Sequence, residues 1–102
     1  MTTEYDKNTC VGCIVQSAAG RDKNRFFIIT GIVTDGSDGM VYIADGRLHK
    51  VQSPKKKKLM HLKFIAAADT DTVSLIDGGR LTNRIAWKCV GEYDPARICK
   101  GK

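Results

Sequence analysis

Residues 11–34 read VGCIVQSAAGRDKNRFFIITGIVT, two apolar runs separated by a polar segment. The two runs, 11–18 and 26–34, are rich in β-branched and aromatic residues, which favour strands. The segment between them, 19–25, is hydrophilic and contains glycine and asparagine, as turns commonly do. Gly31 interrupts the second run, and a glycine inside a strand often marks a bulge. The stretch therefore predicts two strands joined by a tight loop.

Three more short strands are predicted downstream. Residues 40–44 are apolar, and Asp45-Gly46 after them is a two-residue hairpin signal, because both central positions of such a turn favour a positive φ. Residues 47–51 alternate polar and apolar side chains, which predicts a fourth strand. Pro54 is expected to end that strand, because its ring fixes φ and it has no backbone N–H to donate. Residues 59–66 supply a short turn and a fifth strand.

A flat sheet built from these strands would leave its edges and one face of its core exposed. A small, strongly bent barrel avoids both problems, and glycines at Gly12, Gly20 and Gly31 would permit the bends. The pattern therefore predicts a mainly β fold, a five-stranded SH3-like barrel over residues 10–66. Residues 1–9 are polar and are expected to be a flexible N-terminus.

The remainder, residues 67–102, forms a C-terminal extension of different character. Within 80–90, Leu81, Ile85 and Cys89 are spaced by four, which predicts one amphipathic helix. Gly91 stands where a C-cap glycine is expected.

The charge of the chain is concentrated in one region. The 102 residues carry 17 Lys+Arg and 11 Asp+Glu, a net charge of +6. Between residues 47 and 63 there is no acid, and the bases there are Arg47, Lys50, Lys55, Lys56, Lys57, Lys58 and Lys63. Such a patch attracts polyanions, of which nucleic acid is the commonest in a cell, although a run of lysines also serves as a solvated loop.

Size and composition exclude several classes of protein. The chain is too short for a TIM barrel or a doubly wound dinucleotide fold, and one domain is the natural count. No apolar run approaches the roughly 20 residues of a membrane-spanning helix, and the polar N-terminus does not read as a secretory signal. We therefore expect a soluble cytoplasmic protein with no membrane partner.

The order of these segments resembles a known family. Residues 11–29 are similar to the KOW motif of ribosomal proteins and of transcription elongation and antitermination factors, a strand, a loop around a central glycine (Gly20) and a second strand. The sequences DGRLHKV at 45–51 and PKKKKLMHL at 54–62 extend the match. They resemble the archaeal and eukaryotic large-subunit ribosomal family of the "fourteen-e" type and its small bacterial KOW relatives. Asn24 departs from the usual glycine, but asparagine tolerates the same left-handed backbone.

The resemblance implies an SH3-like barrel that binds structured RNA, usually ribosomal RNA, through its loops and basic edge. It is silent on the C-terminal extension. The expected contacts are Arg21, Lys23, Arg25, Arg47, Lys50, Lys55, Lys56, Lys57, Lys58, His61 and Lys63, with Gly12, Gly20, Asn24, Asp45, Gly46 and Pro54 as structural positions of the motif.

Such contacts would position RNA on the lysines, held extended after Pro54, without reading its sequence. The aromatic residues, including Trp87, fit a core as well as a surface, so we expect recognition of shape and charge. A role in translation or RNA metabolism follows, with the ribosome as a candidate partner. The alternative is a protein-interaction module that docks an acidic partner through the basic edge and the tail helix.

The cysteines are the main competing chemistry. Cys10 and Cys13 form a C-x-x-C pair, and with Cys89 and Cys99 they could make a tetrahedral zinc site. Cys89 and Cys99 are not at the spacing usual for the ligands of a zinc knuckle. Cys13 falls on the apolar face of the first predicted strand, where a thiol acts as a small hydrophobe. We therefore expect free or structural thiols and no metal.

No catalytic constellation stands out in the sequence. His49 and His61 have no companion at ligand spacing, and Asp69 and Asp71 have no third partner. The chain also lacks a phosphate-binding glycine loop and a nucleophile elbow. We expect a non-catalytic protein without a cofactor.

Overall fold

A computed structural model describes residues 11–18, 20–21, 23–33, 39–67 and 70–94. The strands are β1 (Ile14–Ser17), β2 (Phe26–Ile32), β3 (Met40–Ala44), β4 (Lys55–Lys58) and β5 (Leu62–Ala66). A 3-10 turn, η1 (Leu59–His61), lies between β4 and β5, and the two helices are α1 (Thr70–Asp77) and α2 (Asn83–Gly91). The segment 1–9, predicted to be flexible, lies outside the described residues.

The five strands form one antiparallel sheet in the order β4-β3-β2-β1-β5. The strand pair predicted from residues 11–34 is present, with Ile14 opposite Ile28 and Gln16 opposite Phe26. The register between β2 and β3 shifts between Ile29 and Gly31, which confirms the predicted bulge. The expectation of a mainly β fold is therefore confirmed.

The predicted fourth strand over 47–51 is wrong. Its backbone belongs to a loop over 45–54, and the lysine run Lys55–Lys58 pairs with β3 instead. The Asp45 carboxylate explains the change, because its Oδ1 accepts hydrogen bonds from the backbone N–H groups of Arg47 (2.9 Å) and His49 (3.0 Å). A strand would offer those donors to its neighbour, so Asp45-Gly46 opens a long loop rather than a two-residue hairpin.

The sheet coils strongly where η1 joins its two edges. The chain from Lys58 to Leu62 can span at most about 14 Å, at roughly 3.3–3.6 Å per residue. In a flat sheet the edge strands β4 and β5 would lie four spacings apart, about 19 Å. The edges therefore approach each other at this end, but no pairing joins β4 to β5 within the described ranges, so the sheet is not closed into a barrel.

Both faces of the sheet are buried. The inner face holds seven buried residues, Cys13, Val15, Phe27, Ile29, Val41, Ile43 and Leu62, with Leu59 of η1 packed against them. The opposite face, which we call the helix face, holds Ile14, Phe26 and Ile28 beneath Ala86 and Val90 of α2. Each fully buried large side chain stabilises the fold by about 1.5–3 kcal/mol. This two-sided burial explains why β2 reads as a nearly continuous apolar run.

The C-terminal helix is confirmed with shifted ends. It was expected over 80–90 and lies at Asn83–Gly91, because the Thr82 hydroxyl accepts a hydrogen bond from the Ile85 N–H (3.2 Å) and starts the helix there. Gly91 is its last residue and Glu92 the C-cap, so the predicted cap is wrong by one position.

Helix α1 was not predicted at all. Its eight residues include two threonines and a serine, so propensity is weak and packing must hold it. Thr72 is buried, and Ile76 packs against the cluster on the helix face. Neither α1 nor α2, the helices of the described chain, is long and apolar enough to cross a bilayer.

Candidate nucleic-acid interface

The loop between β1 and β2 is a tight basic turn. Gly20 and Asn24 both have a positive φ, +81° and +73°, so the asparagine does hold the expected left-handed position. The Asn24 N–H donates to the Ser17 carbonyl (2.8 Å), and the Lys23 N–H donates to the Gly20 carbonyl (3.2 Å). Arg21, Lys23 and Arg25 are exposed on this frame.

The four lysines of β4 do not share one environment. Directly opposite residues of an antiparallel pair lie on the same face, so Lys57, opposite Val41, belongs to the inner face. Lys56 and Lys58, opposite Tyr42 and Met40, belong to the helix face and are exposed. Lys57 is only 9% exposed. The backbone is extended as expected, but Lys57 is not available to a partner in solution, and Lys55 is half-buried.

A contact at Gly20 joins the two basic segments. A side-chain Cβ at Gly20 would lie 3.1 Å from the Lys57 Nζ, so the ammonium group occupies the space that this glycine leaves open. Gly20, the predicted centre of the loop, therefore lies beside a cationic side chain of β4. Lys56 and Lys58 flank Lys57 in the strand, with their side chains on the opposite face.

Turn η1 and strand β5 border the same loop. The Ala18 N–H donates to the His61 carbonyl (2.8 Å), which fixes η1 against the end of β1. Lys63 is exposed on β5 opposite Gln16, whose amide donates to the Asn24 carbonyl (3.4 Å). His61 is half-buried, whereas the Met60 side chain beside it is 79% exposed.

The long loop after β3 meets the basic turn at its other side. Arg47 and Arg25 line one hollow together with Trp87 of α2, and the Arg47 guanidinium carbon is 4.8 Å from the centre of the Trp87 ring. Lys50 is exposed farther along this loop, and Pro54 is half-buried just before β4. No local sequence pattern indicates that Trp87 lies beside these arginines, because the contact joins α2 to a distant loop.

We define the basic surface by its exposed members. They are Arg21, Lys23, Arg25, Arg47, Lys50, Lys56, Lys58 and Lys63. Asp45, an acid beside them, is buried and committed to the backbone of its own loop. Asp45 therefore has a structural role in its loop, and Gly20, Asn24 and Gly46 each hold a positive φ.

The thiols of the described chain lie apart. Cys13 is buried on the inner face, whereas Cys89 lies on α2, which covers the opposite face, with its Sγ 3.8 Å from the Thr72 Oγ1. Cys10 and Cys99, the other members of the alternative zinc set, lie outside the described residues. His49 packs its ring 5.7 Å from that of Phe27.

No protein-family model matches this chain, and no curated protein matches it at a significant level.

Proposed function

We propose that the protein is a non-catalytic RNA-binding protein that holds structured RNA, such as ribosomal RNA, on the basic surface. The observation that carries the proposal is the position of the Lys57 ammonium group beside Gly20. This contact joins β4 to the loop between β1 and β2. Two segments that are far apart in the sequence thereby contribute to one cationic region. A role in translation or RNA metabolism is part of this proposal.

We further propose that the coiled sheet is a partly open SH3-like barrel of the KOW type. The strand order supports it, because β5 returns to pair with β1 while β1 to β4 follow one another as a meander. The three-residue link η1 between the edge strands and the left-handed Asn24 in the turn also support it.

Binding on this surface would act through the phosphate backbone. Exposed lysines and arginines neutralise phosphates and release the counterions condensed on RNA, so affinity falls as salt rises. Lys56 and Lys58 project from the same face of β4, about 7 Å apart in an extended strand. They suit two phosphates rather than one, and they leave the bases unread.

A structural explanation of the lysines makes a different prediction. Edge strands of natural sheets often carry lysine, because charge discourages pairing with another chain. That role concerns β4 alone and requires nothing of the loop between β1 and β2. The two explanations are therefore separated by whether Arg21 and Lys23, which lie in that loop, contribute to binding.

The alternative partner, an acidic protein surface, was expected to dock on both the basic edge and the tail helix, and the tail helix is already packed. The apolar side of α2 is used within the molecule, since Ala86 and Val90 are buried against Ile14, Phe26 and Ile28. A docking role for this helix would need a second apolar side.

The test is retention of a ribosomal RNA fragment on the protein across a salt series. If Lys56 and Lys58 each neutralise one phosphate, the Lys56→Gln/Lys58→Gln variant should reduce the slope of log K against log salt by roughly 1.4–1.8. The Arg21→Gln/Lys23→Gln variant should reduce it similarly. The matched control, Arg80→Gln/Lys88→Gln, removes two exposed charges outside the basic surface and should leave the slope unchanged.

The proposal is wrong if the wild-type protein retains no RNA near physiological salt. It is also wrong if all three variants lose affinity equally, since binding would then follow net charge rather than this surface. Retention of an acidic protein in place of RNA would favour the alternative partner.

A further inference from the structure

The hollow beside Trp87 brings together three segments that are remote in the sequence. Arg25 precedes β2, Asp45, Arg47 and Leu48 belong to the loop after β3, and Trp87 lies in α2. The hollow has a volume of about 400 Å³, within the range of small-molecule sites. It adjoins the basic surface through Arg25 and Arg47, yet it differs from the rest of that surface by containing an aromatic ring and an apolar side chain.

The ring and the guanidinium group form a stacked pair. The Arg47 guanidinium carbon lies 4.8 Å from the centre of the half-buried Trp87 ring, a cation–π arrangement. Unpaired nucleobases stack on aromatic rings and on arginine planes, and every base has a face that suits them. Leu48 is 55% exposed beside the pair and offers an apolar edge for a base to contact.

The main chain fixes this pair in place. Gly46 lies so close to α2 that an added Cβ would overlap the Asn83 carbonyl oxygen and come within 3.0 Å of the Trp87 backbone nitrogen. The Asn83 side chain accepts a hydrogen bond from the Val51 N–H (2.8 Å) and donates one to the Gln52 side chain (2.8 Å). Arg47 and Trp87 are therefore held on two backbones that are locked together, and a ligand would find the platform already formed.

The charge of the hollow indicates the class of ligand. Arg25 and Arg47 provide two cations, whereas the Asp45 carboxylate is buried and accepts two hydrogen bonds from its own loop. A cationic ligand is disfavoured beside two arginines. An anionic ligand with a planar ring satisfies both the charge and the aromatic surface.

We propose that this hollow binds an unpaired RNA base, stacked on the Trp87–Arg47 pair, with an adjacent phosphate on Arg25. The inference rests on the proposed RNA binding and adds to it a contact with a base, which the basic surface alone would not make. It assigns to α2 a part in binding that the KOW-like segment does not imply. A protein with this site should prefer RNA that has a loop or bulge over a perfect duplex.

Trp87 is the only tryptophan of the chain, so its fluorescence reports this site directly. We would titrate the wild-type protein with a single-stranded RNA hexamer and, separately, with heparin, a polyanion without bases. Stacking should quench the fluorescence on adding the hexamer, while heparin should bind without comparable quenching. Equal quenching by both polyanions, or quenching by neither although both bind, would overturn the inference.

Variants supply the second measurement. Trp87→Leu should weaken binding of the hexamer by about tenfold or more, the usual effect of losing one stacked base, and leave heparin binding unchanged. The matched control is Tyr93→Leu, which removes an exposed aromatic residue that lies outside the hollow and should retain full affinity. Circular dichroism establishes that each variant is folded. If Trp87→Leu does not fold, Leu48→Ser replaces it, since Leu48 is exposed and uncharged, and it should weaken hexamer binding while heparin binding stays unchanged.

The two proposals fail in different ways. If the ribosomal RNA fragment is retained with the expected salt slopes but Trp87→Leu binds the hexamer as the wild type does, the base site is wrong and the basic surface stands. If neither RNA is retained, both proposals are wrong.

Discussion

Gly46 combines a backbone requirement with a packing requirement. Its φ is +87°, and its Cα faces the first turn of α2, where a Cβ would overlap the Asn83 carbonyl oxygen. An L-residue in the left-handed region costs about 1–2 kcal/mol before any overlap is counted. We therefore expect Gly46→Ala to lower the free energy of unfolding by at least about 3 kcal/mol, measured by urea denaturation.

Gly79→Ala is the control for Gly46→Ala. Gly79 also has a positive φ, +69°, but an added Cβ there would have no described atom within 4 Å. It should lose only the backbone contribution, about 1–2 kcal/mol. Equal losses in the two variants would show that the contact between Gly46 and α2 does not restrict the loop.

Lys57 shows what residue type alone cannot predict. In the sequence it is the third of four identical residues, and all four were expected to face RNA. The alternation of side chains along β4 turns Lys57 toward the inner face, and Gly20 leaves room for its ammonium group. Its burial depends on a loop that is distant in the sequence, so no local sequence pattern could predict it. The exposure of Arg21, Lys23 and Arg25, by contrast, follows from a short hydrophilic turn and was predictable.

At the scale of elements, β4 is an edge strand with lysines on its exposed face. We expect Lys56→Thr/Lys58→Thr to raise the strand propensity and remove the charge that keeps other chains away. The variant should remain folded and self-associate with increasing concentration, as measured by light scattering or sedimentation. The charge-reversed variant Lys56→Glu/Lys58→Glu keeps the edge charged and should self-associate no more than the wild type. Self-association of both variants would contradict edge protection.

The elements that the sequence predicts well are those whose own composition favours them. β1, β2 and β3 are rich in β-branched and aromatic residues, and α2 is amphipathic. The residues that α2 buries are Ala86 and Val90, whereas the predicted Ile85 and Cys89 are half-buried.

Lysine has little preference for strands, so β4 forms because it can pair with the free edge of β3. Residues 47–51 do not pair there, because hydrogen bonds to the Asp45 carboxylate hold them in a loop. The same holds for the candidate site: the contact of Arg47 with Trp87 could not be predicted from the sequence, since it exists only after α2 has packed on the loop.

At the scale of the whole molecule, the sheet and α2 should unfold together. Ala86 and Val90 of α2 complete the cluster that contains Ile14, Phe26 and Ile28, so neither part has a finished core alone. Trp87 fluorescence reports α2, and far-ultraviolet circular dichroism reports the entire backbone. We expect the two signals to follow one transition in urea, with equal midpoints. A tryptophan transition at clearly lower urea would mean that α2 is an independent appendage.

The pairing of β1 has a consequence for how the chain is made. β1 lies between β2, which follows it at once, and β5, the last in chain order of the five described strands. Until β5 emerges, one edge of β1 has no partner, and until α2 emerges, Ile14, Phe26 and Ile28 have no cover. Unpaired strand edges and bare apolar faces promote association between incomplete chains. The nascent chain is therefore most exposed to such association between the completion of β2 and the completion of α2.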